Sequence, residues 1–280
     1  MARGPVILDG TAAAERRLKR LARKAGRGVG PTLGIIVATG NPETYTYIEQ
    51  KRKRAEAVGC RVVMDDLGPR ATKRKLLEAC ARMNRSRGIT GYIVQLPLPR
   101  GIDPIEIFAV VDPAKDADGL TPENLGRLYT GRPGILPATP KGILELLGDY
   151  RIDPKGMHVT VVGKGLLTGL PLATLLSHRG ATVTSCDKLT KDLSAHTRTA
   201  DLVVTAAGKP GLITARMIGK GAVVVDVGVT RLKTRLSGDV DFAGVSKKAR
   251  AITPVPGGVG PMTVVSLLEN VYALAETRIH

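Results

Sequence analysis

His158-Val159-Thr160-Val161-Val162-Gly163-Lys164-Gly165-Leu166-Leu167-Thr168-Gly169 is the most informative stretch of this chain. A short apolar strand runs into a glycine-rich turn, and Pro171 to His178 reads as the helix that follows. Glycines in such a turn let the backbone approach a pyrophosphate, and the helix N-terminus supplies N–H groups and the positive end of its dipole. The spacing is G-x-G-x-x-x-G, one residue longer than the common fingerprint, and a βα turn of no function would look the same. The context favours a dinucleotide, because Asp187 closes the next strand, Ala181 to Ser185, about where a ribose-binding acid sits.

The alternation continues on both sides. Downstream, strands fit Leu202 to Ala206 and Ala222 to Val227. Upstream, strands fit Leu33 to Ala38, Cys60 to Met64 and Gly91 to Gln95, separated by helices at Pro42 to Val58 and Thr72 to Met83. Strands alternating with helices imply parallel pairing and an α/β fold. A helix at Pro140 to Tyr150 leads into the second unit. The last helix, Met262 to Glu276, carries Val264, Val265, Leu267, Leu268 and Val271 and is expected to pack back on the first domain. The expected domains are 1–139, completed by 255–280, and 140–254.

The chain has 280 residues, 43% hydrophobic and 24% charged, which excludes a disordered chain. No apolar run approaches the roughly 18 residues of a membrane span, Lys164 breaking the best candidate. Trp is absent and Phe occurs twice, so packing rests on aliphatic side chains. Lys and Arg exceed Asp and Glu by 42 − 25 = 17, which favours anionic partners: nucleic acid, membrane or a polyanionic small molecule. The scarcity of aromatics weighs against single-stranded nucleic acid, and a solvated basic surface would give the same balance. Cys60, Cys80 and Cys186 form no C-x-x-C pair, and the four histidines, His280 included, form no ligand pair. A reduced, metal-free, cytoplasmic protein is expected. Ala12 to Arg27 is Arg-rich, but Leu18, Leu21 and Ala22 recur at helical spacing after a short strand at Val6 to Leu8, so it reads as a surface helix rather than a targeting segment.

Four further stretches carry chemistry. Tyr47 and Lys51 stand four apart on one helix, with their tips able to share a substrate. Lys51 opens the run Lys51-Arg52-Lys53-Arg54, whose neighbouring cations should lower its pKa toward the range that acid/base work needs; a solvated basic face is the plain alternative. Val94-Gln95-Leu96-Pro97-Leu98-Pro99 ends a strand where α/β sheets bind ligands, and its prolines give Gln95 a defined aim. Lys115-Asp116-Ala117-Asp118-Gly119-Leu120 offers a carboxylate to a heterocycle edge, or is an Asx turn. Thr253 to Thr263, rich in Pro and Gly, reads as a rigid loop able to approach a ligand, or as a connection.

Together these stretches resemble the bifunctional methylenetetrahydrofolate dehydrogenase/methenyltetrahydrofolate cyclohydrolase family, in the family's order and over nearly the whole chain. The resemblance implies a folate-binding α/β domain, a Rossmann dinucleotide-binding domain, a cleft between them and a homodimer. It also implies roles: Lys51 as catalytic lysine, Tyr47 positioning the folate, Gln95 as the lysine's partner, Asp118 as pterin anchor. Pro256, Gly257 and Gly258 would border the substrate. Gly163, Lys164, Gly165, Gly169, Asp187, Lys188 and Val229 would meet the cofactor, NADP by family habit. Where the family commonly has Gly-Arg-Ser and Cys-His-Ser, this chain has Gly163-Lys164-Gly165 and Cys186-Asp187-Lys188. Asp187 would repel a 2′-phosphate, so NAD is the alternative. A dehydrogenase without the hydrolase step and a basic nucleic-acid-binding protein on this fold are the competing functions.

Overall fold

Side-chain caps set the helix starts. Asn41 accepts a hydrogen bond from Glu43 N, and Thr72 from Lys75 N, so that helices begin at Pro42 and Lys73. The computed structural model describes residues 4–24, 30–232 and 235–277. In chain order its elements are β1 (Val6–Ile7), α1 (Gly10–Lys24), β2 (Thr32–Val37), α2 (Pro42–Ala57), β3 (Arg61–Asp66), α3 (Lys73–Arg85), β4 (Gly91–Gln95), α4 (Pro104–Phe108) and α5 (Pro122–Tyr129). They continue as α6 (Ala138–Asp149), β5 (His158–Val162), α7 (Gly169–His178), β6 (Thr182–Cys186), α8 (Leu193–Arg198), β7 (Leu202–Thr205) and β8 (Val223–Asp226). The last are β9 (Thr230–Leu232), β10 (Arg235–Ser237), α9 (Phe242–Val245), β11 (Ala251–Ile252) and α10 (Val259–Thr277). The basic N-terminal helix is thus α1; residues 25–27 of its expected span lie outside the described residues, as does His280.

Two compact units divide the chain. One comprises residues 16–138 with 264–280, the other 1–15 with 139–263. Residues 1–15, 139 and 255–263, placed with the first domain on sequence, group with the second unit. The cause for the N-terminus is β1, which pairs in parallel with β11, Val6 opposite Ala251.

The first unit holds a parallel sheet in the order β3-β2-β4. The central strand β2 is buried throughout, as its apolar composition requires. Leu33, Ile35 and Val37 pack with Ile48 and Ala55 of α2 and with Val264, Leu267, Leu268 and Val271 of α10. Each of the Val, Leu and Ile side chains among them contributes about 1.5–3 kcal/mol through burial. The Tyr272 hydroxyl of α10 donates to the Val58 carbonyl.

The second unit holds a parallel six-stranded sheet in the order β1-β11-β8-β7-β5-β6. The strand after β5 lies on one side of it and β7 on the other, so the carboxyl ends of β5 and β7 form the switch point where open α/β sheets bind ligands. The antiparallel strand pair β9 and β10 had no counterpart in the sequence reading. Among the described residues, no helix is long and apolar enough to cross a membrane, and no group of three or more His, Cys, Asp or Glu is placed to hold a metal ion. Cys60, Cys80 and Cys186 are free and buried.

Candidate active site

The buried residues of α2 are Thr44, Ile48, Lys51 and Ala55, a stripe of helical period. Lys51 therefore occupies a position that belongs to the core face, and it is 6% exposed. Its Nζ donates to Gln95 Oε1 at 2.8 Å, at the carboxyl end of β4. The Gln95 amide nitrogen donates to the Leu96 carbonyl at 2.8 Å, which orients the oxygen toward the lysine. Nζ also stands 4.7 Å from the centroid of the Tyr47 ring, a cation–π distance.

Burial lowers the Lys51 pKa to about 8, against the opposing charge of Asp118. Arg52, Lys53 and Arg54, expected from the sequence to cause this lowering, do not cause it; burial does. Arg52 lies on the exposed face, bridging Glu49 and Glu56. Burial raises the Asp118 carboxyl to about 6, with Lys51 pulling it down and Asp116 pushing it up. Burial also raises the Tyr47 phenol to about 12, helped by the Asp118 charge. Tyr47, Lys51, Gln95 and Asp118 are thus one electrostatic group.

Asp116, which the sequence reading passed over, builds the loop that presents Asp118. It accepts from Gly119 N at 2.8 Å, Thr121 N at 2.8 Å and Asn124 Nδ2 at 2.9 Å. The Asx-turn chemistry anticipated for this loop therefore falls to Asp116, and Asp118 is left to face Lys51. Gly119 has φ +69°, and a Cβ there would lie 2.6 Å from the Leu136 carbonyl carbon. Lys115 ties the loop to the end of α3, donating to Met83 O at 2.7 Å and Ser86 O at 2.6 Å. A signal for Asp116 existed, since an acid three residues before a glycine is a loop-closing pattern.

In the second unit, Pro256 is exposed, Gly257 half-buried with φ +102°, and Gly258 buried. The Gly257 carbonyl accepts from Thr11 N at 3.0 Å, so this loop is fixed against the start of α1.

The glycine-rich turn divides by function. Gly163 has φ +111°, and a Cβ on it would fall on the Ala206 carbonyl; a Cβ on Gly169 would fall on the Gly163 carbonyl. A Cβ on Gly165 would meet nothing within 4 Å. Two glycines are therefore demanded by the protein's own packing. The third leaves open space over the turn, as close approach of a pyrophosphate requires. No side-chain hydrogen bond caps α7; in its first turn Leu170 N donates to the Gly165 carbonyl at 3.2 Å and Leu172 N to the Thr168 carbonyl at 2.9 Å, and Pro171 has no N–H.

Asp187 accepts from Leu189 N at 2.9 Å and pairs with Lys164 Nζ at 3.3 Å. Those contacts, the backbone one first, hold its carboxyl below the usual value. The two groups read on sequence as opponents over a phosphate are partners. Lys188 and Val229 are exposed.

A parallel sheet open at its switch point, together with a separate unit that buries a lysine among hydrogen-bonding groups, defines a two-unit dinucleotide-dependent enzyme. The tetrahydrofolate dehydrogenase/cyclohydrolase catalytic-domain family matches residues 8–118, and the NAD(P)-binding domain of the same family matches residues 137–279. The bifunctional protein FolD of Methanosphaerula palustris is 43% identical over 274 residues, covering 98% of each chain. The crystal structure of the bifunctional FolD methylenetetrahydrofolate dehydrogenase/cyclohydrolase from Campylobacter jejuni superposes with TM-score 0.94 at 40% identity, covering 98% of this chain and 99% of that one. FolD of Trypanosoma brucei, solved with NADP and an inhibitor, gives TM-score 0.96 at 37% identity and covers 100% of both. The chain belongs to the tetrahydrofolate dehydrogenase/cyclohydrolase family. It is accordingly a bifunctional enzyme, a methylenetetrahydrofolate dehydrogenase and a cyclohydrolase with a nicotinamide-dinucleotide-binding domain, and these matches favour neither competing function.

Proposed function

We propose that Lys51 is the proton-transfer residue, that Gln95 aims it, that Tyr47 positions the folate, and that Asp118 anchors the pterin. The observation that carries this reading is the 2.8 Å Lys51–Gln95 hydrogen bond at a buried lysine whose pKa is lowered to about 8. A lysine so placed exists in both protonation states near neutrality, as a group that takes up and returns a proton must. A bound nicotinamide dinucleotide would supply the hydride acceptor for oxidation of the substrate's methylene bridge. Water then adds to the methenyl carbon, and neutral Lys51 takes one of its protons. Protonated Lys51 returns that proton to the ring nitrogen as its bond to the carbon breaks, and the remaining hydroxyl proton leaves to solvent as formyl-tetrahydrofolate forms. Because burial disfavours charge on Lys51, its neutral form tolerates the cationic methenyl group beside it. Pro256, Gly257 and Gly258 are assigned to the substrate by the resemblance alone. Lys51→Met should lower cyclohydrolase kcat by about a hundredfold or more while leaving dinucleotide binding intact; hydrolysis at the wild-type rate would remove Lys51 from this role.

NADP is the proposed cofactor and NAD the alternative. Asp187 is engaged by Lys164 and the Leu189 N–H, and Lys188 is exposed, which supports room for a 2′-phosphate. Initial rates with each dinucleotide test this. A cytoplasmic homodimer is also proposed. The three free cysteines suit a reducing compartment, and light scattering that returned a monomer would refute the dimer.

A further inference from the structure

At the carboxyl edge of the six-stranded sheet, two glycines lack side chains where two carboxylates stand. A Cβ on Gly228 would fall on the carboxylate of Asp239, and a Cβ on Gly238 on that of Asp226. Asp226 is 3% exposed and Asp239 0%, and among the described residues neither has an ion pair. Asp226 Oδ1 accepts from Thr205 Oγ1 at 3.1 Å, Gly228 N at 3.0 Å and Asp239 N at 3.0 Å, and its Oδ2 accepts from Val240 N at 2.9 Å. Asp239 Oδ2 accepts from Ala207 N at 2.7 Å and Gly208 N at 3.1 Å. Its other oxygen, Oδ1, is buried with no hydrogen-bond partner among the described residues.

A carboxylate oxygen buried without a donor is costly, and a neutral side chain would avoid that cost. What Asp239 gains is its grip on the loop after β7. That loop is not remote from the cofactor turn. The Ala206 carbonyl occupies the space that a Cβ on Gly163 would need, so residues 206 and 207 lie directly against the glycine-rich turn at the β5/β7 switch point. Asp226 meanwhile fixes Gly228 at the end of β8, one residue before Val229, and holds the Asp239 backbone. The two acids thus secure the loops after β7 and β8 from below.

We propose that Asp239, held in place by Asp226, is a positioning residue for the nicotinamide dinucleotide: it draws the Ala207 and Gly208 N–H groups inward and so fixes the wall against which the dinucleotide lies. The proposal rests on the dinucleotide reading of the Gly163 to Gly169 turn. Only one of the two activities uses the dinucleotide, which gives an internal control that a merely structural role would not respect.

The test is Asp239→Asn in the full chain. An asparagine keeps the shape but loses the charge-assisted bonds, and one end of its amide must oppose either the two N–H donors or the Gly228 Cα. The dinucleotide KM of the dehydrogenase, and the Kd for NADP by fluorescence titration, should rise about tenfold. Cyclohydrolase kcat/KM should stay within about twofold of wild type. An unchanged dinucleotide KM, or an equal fall in both activities, would overturn the proposal. If the variant fails to fold, Thr205→Val decides: it removes one donor to Asp226, and an unmoved dinucleotide KM would likewise overturn the proposal. Failure of the wild-type enzyme to bind any dinucleotide would instead count against the reading of the turn.

Discussion

The folate-side unit and the dinucleotide turn solve opposite problems. Around Lys51 the protein places charged and polar side chains where the core stripe of α2 would ordinarily be apolar, and the resulting desolvation tunes them. Around Gly165 it leaves open space where a Cβ would stand. In the proposed reading, one region makes reactivity by burying charge and the other makes affinity by withholding volume. Substitutions should therefore act on the first through protonation and on the second through shape.

The contrast is tested most strongly by two glycines two residues apart. Gly165→Val, with open space around its Cβ, should fold normally yet weaken NADP binding about a hundredfold, or about 2.7 kcal/mol. Gly163→Val should instead destabilise the fold itself, by at least about 1–3 kcal/mol, because its positive φ and the Ala206 carbonyl both oppose a side chain. Thermal unfolding alongside NADP titration separates the two; equal losses of stability would erase the distinction between the glycines.

A smaller effect is expected at the ribose. Asp187→Ser should shift the ratio of kcat/KM values toward NADP by about tenfold, as it frees Lys164 from its ion pair and removes an anion. A ratio that does not move would mean that Asp187 does not read the ribose.

The smallest effect concerns protonation. The cyclohydrolase rate should rise with pH through an inflection near 8, where Lys51 becomes neutral. Asp118 favours the charged lysine, so Asp118→Asn should move that inflection to lower pH, by up to about one unit at saturating folate. A shift to higher pH would contradict the assigned coupling between the two groups.

Much of this was legible in the chain. Strands β2 to β8 and helices α2 and α3 follow from the sequence pattern, α7 begins two residues before the expected Pro171, and Tyr47 and Lys51 share one helix as their four-residue spacing implied. The cause of the lysine's lowered pKa was not legible from its neighbours, though the stripe Thr44, Ile48, Lys51, Ala55 contains it. The pairing of Lys164 with Asp187 escaped because each was read against an absent phosphate rather than against the other. Asp226 and Asp239 carried no signal in the sequence; only the sheet edge brings Gly228 and Gly238 against them. The two-residue strand β11 has no local signature, and the pairing of β1 with it is not legible from Val6 to Leu8 alone, since it joins distant parts of the chain.

That pairing governs how the chain can be made. Val6 waits for Ala251, and the core around Leu33 waits for α10, so neither unit holds all its parts until almost the whole polypeptide has emerged. Long sequence separations of this kind slow folding and lengthen the exposure of apolar surface. A ribosome building this chain from its N-terminus therefore releases two unfinished halves together, and a cut between residues 138 and 139 would yield no self-contained piece on either side.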